Sequence, residues 1–588
     1  MKKVMILTVI LLFAIALTAC GGNGDAGTTD DTTTTTDDSA AAVADNDATE
    51  DTEEPVVERD TIFEPQTWRF WQGMSMADAV VQWHDTEVGR IIQEITGITI
   101  ETEFIVGDVE ERAALVVAAG DFPDFSLSWH AFDIFRDAGA ILPLNDLYEE
   151  YMPTVQAIWG PHVNRLKEPD TGVLWGLAAL GFGTPPLDYP TSAFFMRVSA
   201  VEHHGWQMFT NPDDYFQAIR EYIEANPYNA DGQRNIGFSG PSESWRFVFS
   251  LHGGNKLHGF HNTGDYWYDP DNNWEAMLLC TSQVRYDYLL RLWELNQEGL
   301  LDPEFLSQDH DGYVAKVASG RVVGFYDEFW QVGTAFNLLR QEGRREDMFI
   351  PMNVTYDHVV DDAFIGIAAM AVRPDLVIFN NAANPELILQ YLDFLASEEM
   401  IDLRTWGIEG QHYQRNADGR RYLTPEQYVE RSQPGWADVT GVGHIVQGAF
   451  PRFIRGNEER GDGSGVWYPQ ADPARAQFIY SDEEQYNLSR MGWTTFMDPF
   501  SPMWESPYGF AWDIALPSED DFLLDLQHEW ETDVPTHQFY QRMIMADSRD
   551  EFDSIWNEMI AIADSMDLQP LLDFRTEEVR RRVRDWSN

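Results

Sequence analysis

The sequence predicts an α/β protein built as two lobes, and three observations carry that reading. The folded part opens with a strand–helix–strand–helix–strand order. About 525 residues follow the leader and tether, and 44% of the chain is hydrophobic, with 21 Trp, 22 Tyr and 35 Phe. A βαβαβ order places parallel strands in a sheet covered by helices. A chain of this length exceeds what one core comfortably organises, so two lobes are expected.

The chain begins with basic Met1-Lys2-Lys3 and runs apolar from Val4 to Leu17. An apolar region too short to span a bilayer, behind a basic start, predicts a signal peptide over residues 1–19. The junction Leu17-Thr18-Ala19-Cys20 resembles a bacterial lipobox, which implies cleavage before Cys20 and lipidation of its sulfur, palmitate included. Residues 20–62 read as an acidic tether: from residue 21 on they hold thirteen acidic residues, one Arg and the run Thr32–Thr36. Such a segment buries too little apolar surface to offset its ordering entropy.

The net charge of −59 argues against nucleic acid, whose phosphates require basic patches. It predicts a surface suited to high salt or alkaline surroundings. After lipidation Cys280 is the one remaining cysteine, so no internal disulfide forms, and its apolar neighbours make it a packing residue.

Taking the folded part in order, Thr67–Trp71 reads as the first strand. An amphipathic helix through Val80, Val81, Val88, Ile91 and Ile92 follows, with Trp83 in its first turns. The alternation from Gly97 to Phe104 reads as a strand, 109–119 as a helix and 123–128 as a strand. The last of these leads into Trp129, His130 and Asp133, and ligands of open α/β sheets sit just beyond the carboxyl ends of strands. Thr191–Arg197 is β-rich and reads as the first crossing between lobes. Asn211-Pro212 starts a helix, and Val284 to Gly299 forms another, closed by its glycine. Ser319-Gly320 then opens a strand ending in Asp327, Glu328, Phe329 and Trp330. Ala363 to Val372 reads as the return crossing, and Asn384-Pro385 starts a further helix.

Several segments carry a family resemblance. Ala118-Ala119-Gly120-Asp121-Phe122-Pro123-Asp124, Gln297-Glu298-Gly299-Leu300-Leu301-Asp302-Pro303-Glu304 and, most specifically, Gly407-Ile408-Glu409-Gly410-Gln411-His412-Tyr413 resemble the LipO/LplA-like branch of extracellular solute-binding family 1. The resemblance covers roughly residues 66–415 and the helices near 540–588, and it places a strand at Val173–Leu177. It implies a periplasmic-binding-protein-like fold of type II: two doubly wound lobes that close by a hinge on a central cleft. Lobe 1 is then expected over 66–192 with about 363–420, and lobe 2 over 198–358 with about 490–588. Residues 421–489 form a Gly-, Pro- and Trp-rich insert of unassigned lobe.

The family implies capture of an oligosaccharide-like solute and its delivery to the permease subunits of an ABC importer, by a monomer anchored through lipid to the outer face of the cell membrane. Sugars stack on aromatic rings and donate hydroxyls to carboxylates and amides. The stacking candidates are Trp330, where the resemblance puts a sugar-stacking tryptophan, then Trp129, Trp245 and Trp83. The polar candidates are Glu328, Asp133 and His130. With 21 tryptophans, most serve packing. Some relatives carry a calcium loop where this chain reads Asn226 to Asn235, with Asn, Tyr and Ala at ligand positions, so neither calcium nor another cofactor is expected.

No His-Glu-x-x-His, Gly-x-Ser-x-Gly or phosphate loop occurs, so catalysis is not expected. Two rival classes remain open on sequence alone: an anchored glycoside hydrolase, because paired carboxylates are available throughout an acidic chain, and a surface-binding or sensory lipoprotein. Turnover of an oligosaccharide separates the first, and lobe closure on a soluble ligand the second.

Overall fold

The computed structural model describes residues 61–586, apart from 74–80, 106, 170, 179–188, 261–264, 360–364, 367–373, 432, 434, 444–458, 470–471, 473–474, 476–478, 502–503, 510–513, 515 and 518–519. The signal peptide, Cys20 and nearly all of the tether lie outside the described residues. The chain is held from Ile62, whose N–H donates to the Ile95 carbonyl at 2.9 Å.

Lobe 1 opens with β1 (Gln66–Gln72), α1 (Glu87–Thr96), β2 (Ile98–Phe104), α2 (Val109–Ala119) and β3 (Phe125–Leu127). β1 lies between β2 and β3 and is parallel to both, as the βαβαβ order requires. The helix boundaries follow from their caps. Asp108 accepts the Glu111 N–H to start α2, and Gly120 ends it in the left-handed region. α1 begins later than the run from Val80 suggests. The Thr86 side chain accepts the Gly89 N–H and starts the helix there, leaving Trp83–Asp85 as a separate 3-10 turn.

Lobe 2 begins with β4 (Ser192–Arg197), α3 (Pro212–Ala225), β5 (Ile236–Ser239), α4 (Ser244–Leu251), the hairpin β6 (Tyr266–Asp269) and β7 (Glu275–Leu278), and α5 (Gln283–Gln297). β8 (Val322–Glu328), α6 (Phe329–Gln341) and β9 (Phe349–Met352) complete its sheet, ordered β5–β8–β4–β9. α3 buries Tyr215, Phe216 and Ile219 completely, each worth roughly 1.5–3 kcal/mol of transfer free energy. Asn211 caps it by accepting the Asp213 N–H. Cys280 is buried in this core.

The chain returns to lobe 1 as β10 (Leu376–Ile378), antiparallel to β3, giving the order β10–β3–β1–β2. Helices α7 (Pro385–Leu395) and α8 (Glu398–Thr405) follow. Of the crossing expected at Ala363 to Val372, Ile365–Gly366 are described, paired in parallel with Trp504–Glu505; the rest lies outside the described residues. Asn384 stands at the N-cap position of α7 but makes no side-chain cap bond, and its amide donates to Gln66 Oε1 at 3.0 Å. Val173–Leu177 forms two isolated bridges rather than a strand.

The insert packs first on lobe 1. Asp402 on α8 pairs with both Arg421 and Arg460, the Arg460 guanidinium lies 3.8 Å from the Trp467 ring centroid, and Trp406 donates to the Trp467 carbonyl at 3.0 Å. Trp467 and Tyr468 belong to the lobe 1 core, whereas Tyr480 belongs to that of lobe 2. Toward the C-terminus follow α9 (Asp482–Met491), α10 (Asp521–Asp533), α11 (Thr536–Ile544), α12 (Arg549–Ser565) and α13 (Gln569–Trp586). α13 spans both lobes. Its Thr576 hydroxyl accepts the Ala276 N–H of β7, and its Trp586 meets Arg165 of lobe 1 at 5.5 Å. No helix among the described residues is long and apolar enough to cross a membrane.

Asp402 answers two arginines whose side chains are only 5% and 4% exposed. Removing the carboxylate leaves Arg421 only the neutral Ser464 oxygens and Arg460 only the exposed Glu398 at 3.8 Å, so Asp402→Ala is expected to lower unfolding stability by about 3–5 kcal/mol. Urea denaturation beside wild type checks this; a loss under 1 kcal/mol would show that the insert does not depend on the pair.

Candidate functional site

The site is defined by where the chain passes between the lobes. In lobe 1, Leu177 is bridged to Leu376, and the Ser128 N–H donates to the Asp375 carbonyl at 2.6 Å. The last described stretch before the outward crossing and the first after the return therefore both flank the carboxyl end of β3. In lobe 2, Ser192 pairs with Glu328, and the Phe329 N–H donates to the Thr191 carbonyl at 2.7 Å. The inbound chain thus lies against the carboxyl end of β8. Each lobe turns the carboxyl end of a sheet strand toward the junction, the position where open α/β sheets bind ligands.

On the lobe 1 side, β3 runs through Ser128 into a 3-10 turn, Trp129–Ala131. Trp129 has φ of +46°, in the left-handed region that a bulky aromatic residue avoids, a conformation costing roughly 1–3 kcal/mol and concentrated at functional sites. Its half-buried ring stands edge-on to His130 at 5.9 Å. Gly73, at the end of β1, donates to the Leu127 carbonyl at 2.8 Å, and a Cβ there would meet that oxygen at 2.4 Å. The two strand ends consequently converge too closely for any side chain at this position. Asp133 follows in the first turn of the short helix Phe132–Asp137, exposed and ion-paired with Arg136 at 2.9 Å.

On the lobe 2 side, Glu328 ends β8 and Trp330 lies in the first turn of α6. The strand therefore stops two residues before the tryptophan. Trp330 is 52% exposed, and among the described tryptophans it alone ranks with the exposed large apolar side chains. Phe249 of α4 braces it edge-on at 5.7 Å. Glu328 is buried.

The structure brings Trp129, His130 and Asp133 together on one side of the junction and Glu328 and Trp330 on the other. Trp83 stands apart, 4% exposed in the lobe 1 core; its ring fills space between α1 and the insert and presents no face to a ligand. The Trp245 side chain lies outside the described residues.

Sequence reasoning passed over the polar support beneath Trp330. Asp327 Oδ1 accepts the Glu328 N–H at 2.8 Å and the Gln331 amide at 2.5 Å. Gln331 Oε1 accepts from Arg246 at 2.9 Å, and its carbonyl accepts from His310 at 2.9 Å. Arg246 and Phe249 stand three residues apart and share one face of α4, while Phe247 is fully buried on another. That spacing was a usable signal, but Trp-Arg-Phe-Val-Phe reads first as a core run.

The loop at the calcium position closes on its own backbone. Asn229 Oδ1 accepts the N–H groups of Asp231 and Gln233 at 3.1 and 2.8 Å, and Asn235 donates to the Asn226 carbonyl at 2.7 Å. Among the described residues, no three His, Cys, Asp or Glu side chains converge in a way that would hold a metal ion.

Residues 88–401 match the family described as bacterial extracellular solute-binding protein. Among curated proteins, the fructooligosaccharide ABC transporter substrate-binding protein FusA of Streptococcus pneumoniae serotype 4 is 23% identical over 348 residues, which span 55% of this chain and 60% of that relative. FusA solved with kestose superposes with a TM-score of 0.58 at 14% identity, over 88% of this chain and 99% of that one. An HMO-binding, ABC-transporter-associated solute-binding protein from Bifidobacterium longum infantis gives 0.59 at 15% identity, over 88% and 98%. The alginate-binding protein AlgQ2, solved without calcium, gives 0.57 at 16% identity with the same coverage. The fold is the periplasmic-binding-protein-like one of these solute-binding proteins.

Complete burial pushes the Asp327 carboxyl up to about 7, against hydrogen bonds that pull it down. In the unfolded chain an aspartate titrates near 4. Between these values the folded protein holds a proton that the unfolded chain has released, so stability falls as pH rises through that window. Asp327→Asn is expected to escape this loss and to gain roughly 2–3 kcal/mol relative to wild type between pH 5 and pH 8. Urea unfolding of both proteins at the two pH values checks it; parallel pH profiles would refute the assignment.

Proposed function

Because the chain belongs to the bacterial extracellular solute-binding proteins, which bind substrates rather than transform them, we propose that it captures an oligosaccharide between its lobes for an ABC importer. The observation that carries this reading is Trp330: a tryptophan left half open to solvent at the end of a sheet strand, where the chain crosses between lobes. An exposed indole face there suits the CH face of a sugar ring. Trp129, held in a strained conformation across the junction, supports a second stacking contact. His130 and Asp133 stand beside it as hydroxyl partners, and the ligands of the relatives, kestose and HMO among them, are oligosaccharides.

Binding needs no metal, since Asn229 already commits its side-chain oxygen to backbone amides in the loop at the calcium position. Lipid on Cys20 tethers the protein to the outer face of the membrane through the acidic segment, and permease subunits receive the closed form. Lobe closure follows the hinge motion of binding proteins of this architecture.

Trp330→Ala is expected to weaken binding of a neutral oligosaccharide such as kestose by about three- to tenfold, the equivalent of roughly 0.5–1.5 kcal/mol, with the melting temperature unchanged. Isothermal titration reads the affinity. Unaltered binding would move the site elsewhere, and release of shorter sugars from the bound oligosaccharide would replace the receptor by a hydrolase. Cys20→Ala is expected to move the protein from the membrane fraction into the medium and to abolish palmitate incorporation in labelled cells. Retention of label in that variant would exclude Cys20 as the anchor.

A further inference from the structure

Away from the lobe junction, a cavity of about 350 Å³ lies among the β6–β7 hairpin, α10, the start of α11 and α13. Asp265, Tyr266, Gln527, Trp530, His537 and Arg575 line it, with Glu531 at its rim. It is separate from the junction. Phe247 of α4, fully buried, packs against His537 at 4.4 Å, while Phe249 of the same helix braces Trp330.

Arg575 is what sets this cavity apart. It is 7% exposed, its guanidinium lies over the Tyr266 ring at 3.9 Å, and its Nε is buried without a hydrogen-bond partner. Arg285, Arg404, Arg421 and Arg460 also leave Nε without a hydrogen bond, but each has an oxygen hydrogen-bonded to another guanidinium nitrogen, for Arg404 the Leu395 carbonyl at 2.7 Å. Arg285 has Asp265 at 3.4 Å and the Leu251 carbonyl at 2.6 Å, and Arg582 has Glu578 at 2.7 Å. Arg421 and Arg460 share Asp402, and Arg197 has Asn235 and the Gly320 carbonyl. Among the described residues no carboxylate pairs with Arg575. Its tyrosine neighbours supply no counter-charge: burial pushes Tyr266 up to about 12 and raises Tyr268 as well, so both phenols stay neutral. A buried cation without an anion is costly, and a carboxylate that meets the guanidinium fork recovers that cost with two parallel hydrogen bonds.

The rest of the lining narrows the ligand. Asp265 and Glu531 offer only acceptors, and Arg285 already balances the Asp265 charge from behind. Acceptors call for hydroxyl donors on the ligand, and Tyr266 and Trp530 present aromatic surface. The volume suits one sugar ring, near the lower bound of small-molecule sites. We propose that this cavity is a second binding site, for a single-ring sugar acid whose carboxylate pairs with Arg575 and whose hydroxyls donate to Asp265 and Glu531.

The test is isothermal titration of the full-length chain in mild detergent with glucuronate and galacturonate, with glucose, acetate and alanine as controls. A uronate is expected to bind one to one and the three controls to give no heat. Arg575→Gln is expected to weaken uronate binding at least tenfold. Gln527→Trp, which fills the cavity from its half-buried rim and leaves Arg575 in place, is expected to do the same while binding kestose as wild type does. The second variant decides the matter if the first does not fold. Absence of uronate binding, equal binding of acetate or alanine, or full uronate affinity in the folded Gln527→Trp variant would each overturn the proposal.

Discussion

The junction site depends on one piece of strand pairing. β4 and β8 run antiparallel with Ser192 opposite Glu328 and Met196 opposite Gly324. This register holds the inbound chain against the carboxyl end of β8, and it fixes where α6 can start. Because successive strand residues face opposite sides of a sheet, a slip by one residue would exchange every buried and opposed side chain of β8. All seven residues of β8 are buried, so both of its faces are covered and the register is strongly held. The position of Trp330 follows: the strand stops at Glu328, the helix begins, and the indole leaves the core in the first turn.

Much of the fold was legible in the sequence because its signals are local. Asp108 and Gly120 bound α2, Asn211-Pro212 starts α3, and the alternation through Ile98 and Ile100 marks β2. Where reading failed, a partner distant in the chain had intervened. Asn384 stands where a helix cap belongs, but its side chain makes no cap bond and its amide goes to Gln66. Val173–Leu177 looks like a strand, but its neighbours Lys167 and Leu376 let it pair only residue by residue. The insert could be recognised by its Gly-, Pro- and Trp-rich composition but not assigned to a lobe, because the ion pairs of Arg421 and Arg460 with Asp402 that hold it depend on spacing no local pattern encodes. For the site, the family resemblance put Trp330 first and Trp83 last among the tryptophans, but no local pattern in the residues themselves separates their exposure. Trp83 and Trp330 both follow apolar stretches, yet one is 4% and the other 52% exposed. What separates them is that Trp83 lies between two packed layers and Trp330 lies at the margin of one.

The charge distribution has the same logic. The chain holds 39 basic residues against 98 acidic ones, and many of its arginines are drawn inward. Arg197, Arg285, Arg404, Arg421, Arg460, Arg575 and Arg582 are all buried. Each long side chain brings planar donors that satisfy carbonyls and carboxylates inside the lobes. The surface is correspondingly left to aspartate and glutamate, which keep the molecule soluble and repel one another, a strain that salt relieves. An approaching anion meets an unfavourable field, so only a site with a desolvated cation of its own can hold one.

α4 connects these themes. Its Arg246 reaches Gln331 and through it the buried Asp327; its Phe249 braces Trp330; its Phe247 closes against His537 at the edge of the second cavity. One helix of eight residues therefore touches both the junction and the chamber around Arg575. Two discrete positions of α4 would couple the two places, since a shift that relieved Phe247 against His537 would move Phe249 against the indole. A rigid α4 would leave them independent. The packing favours rigidity: Phe247 and Leu251 are buried in the lobe 2 core, and a close-packed core resists small displacements. The two places are joined by one helix whose buried face argues against a switch between them.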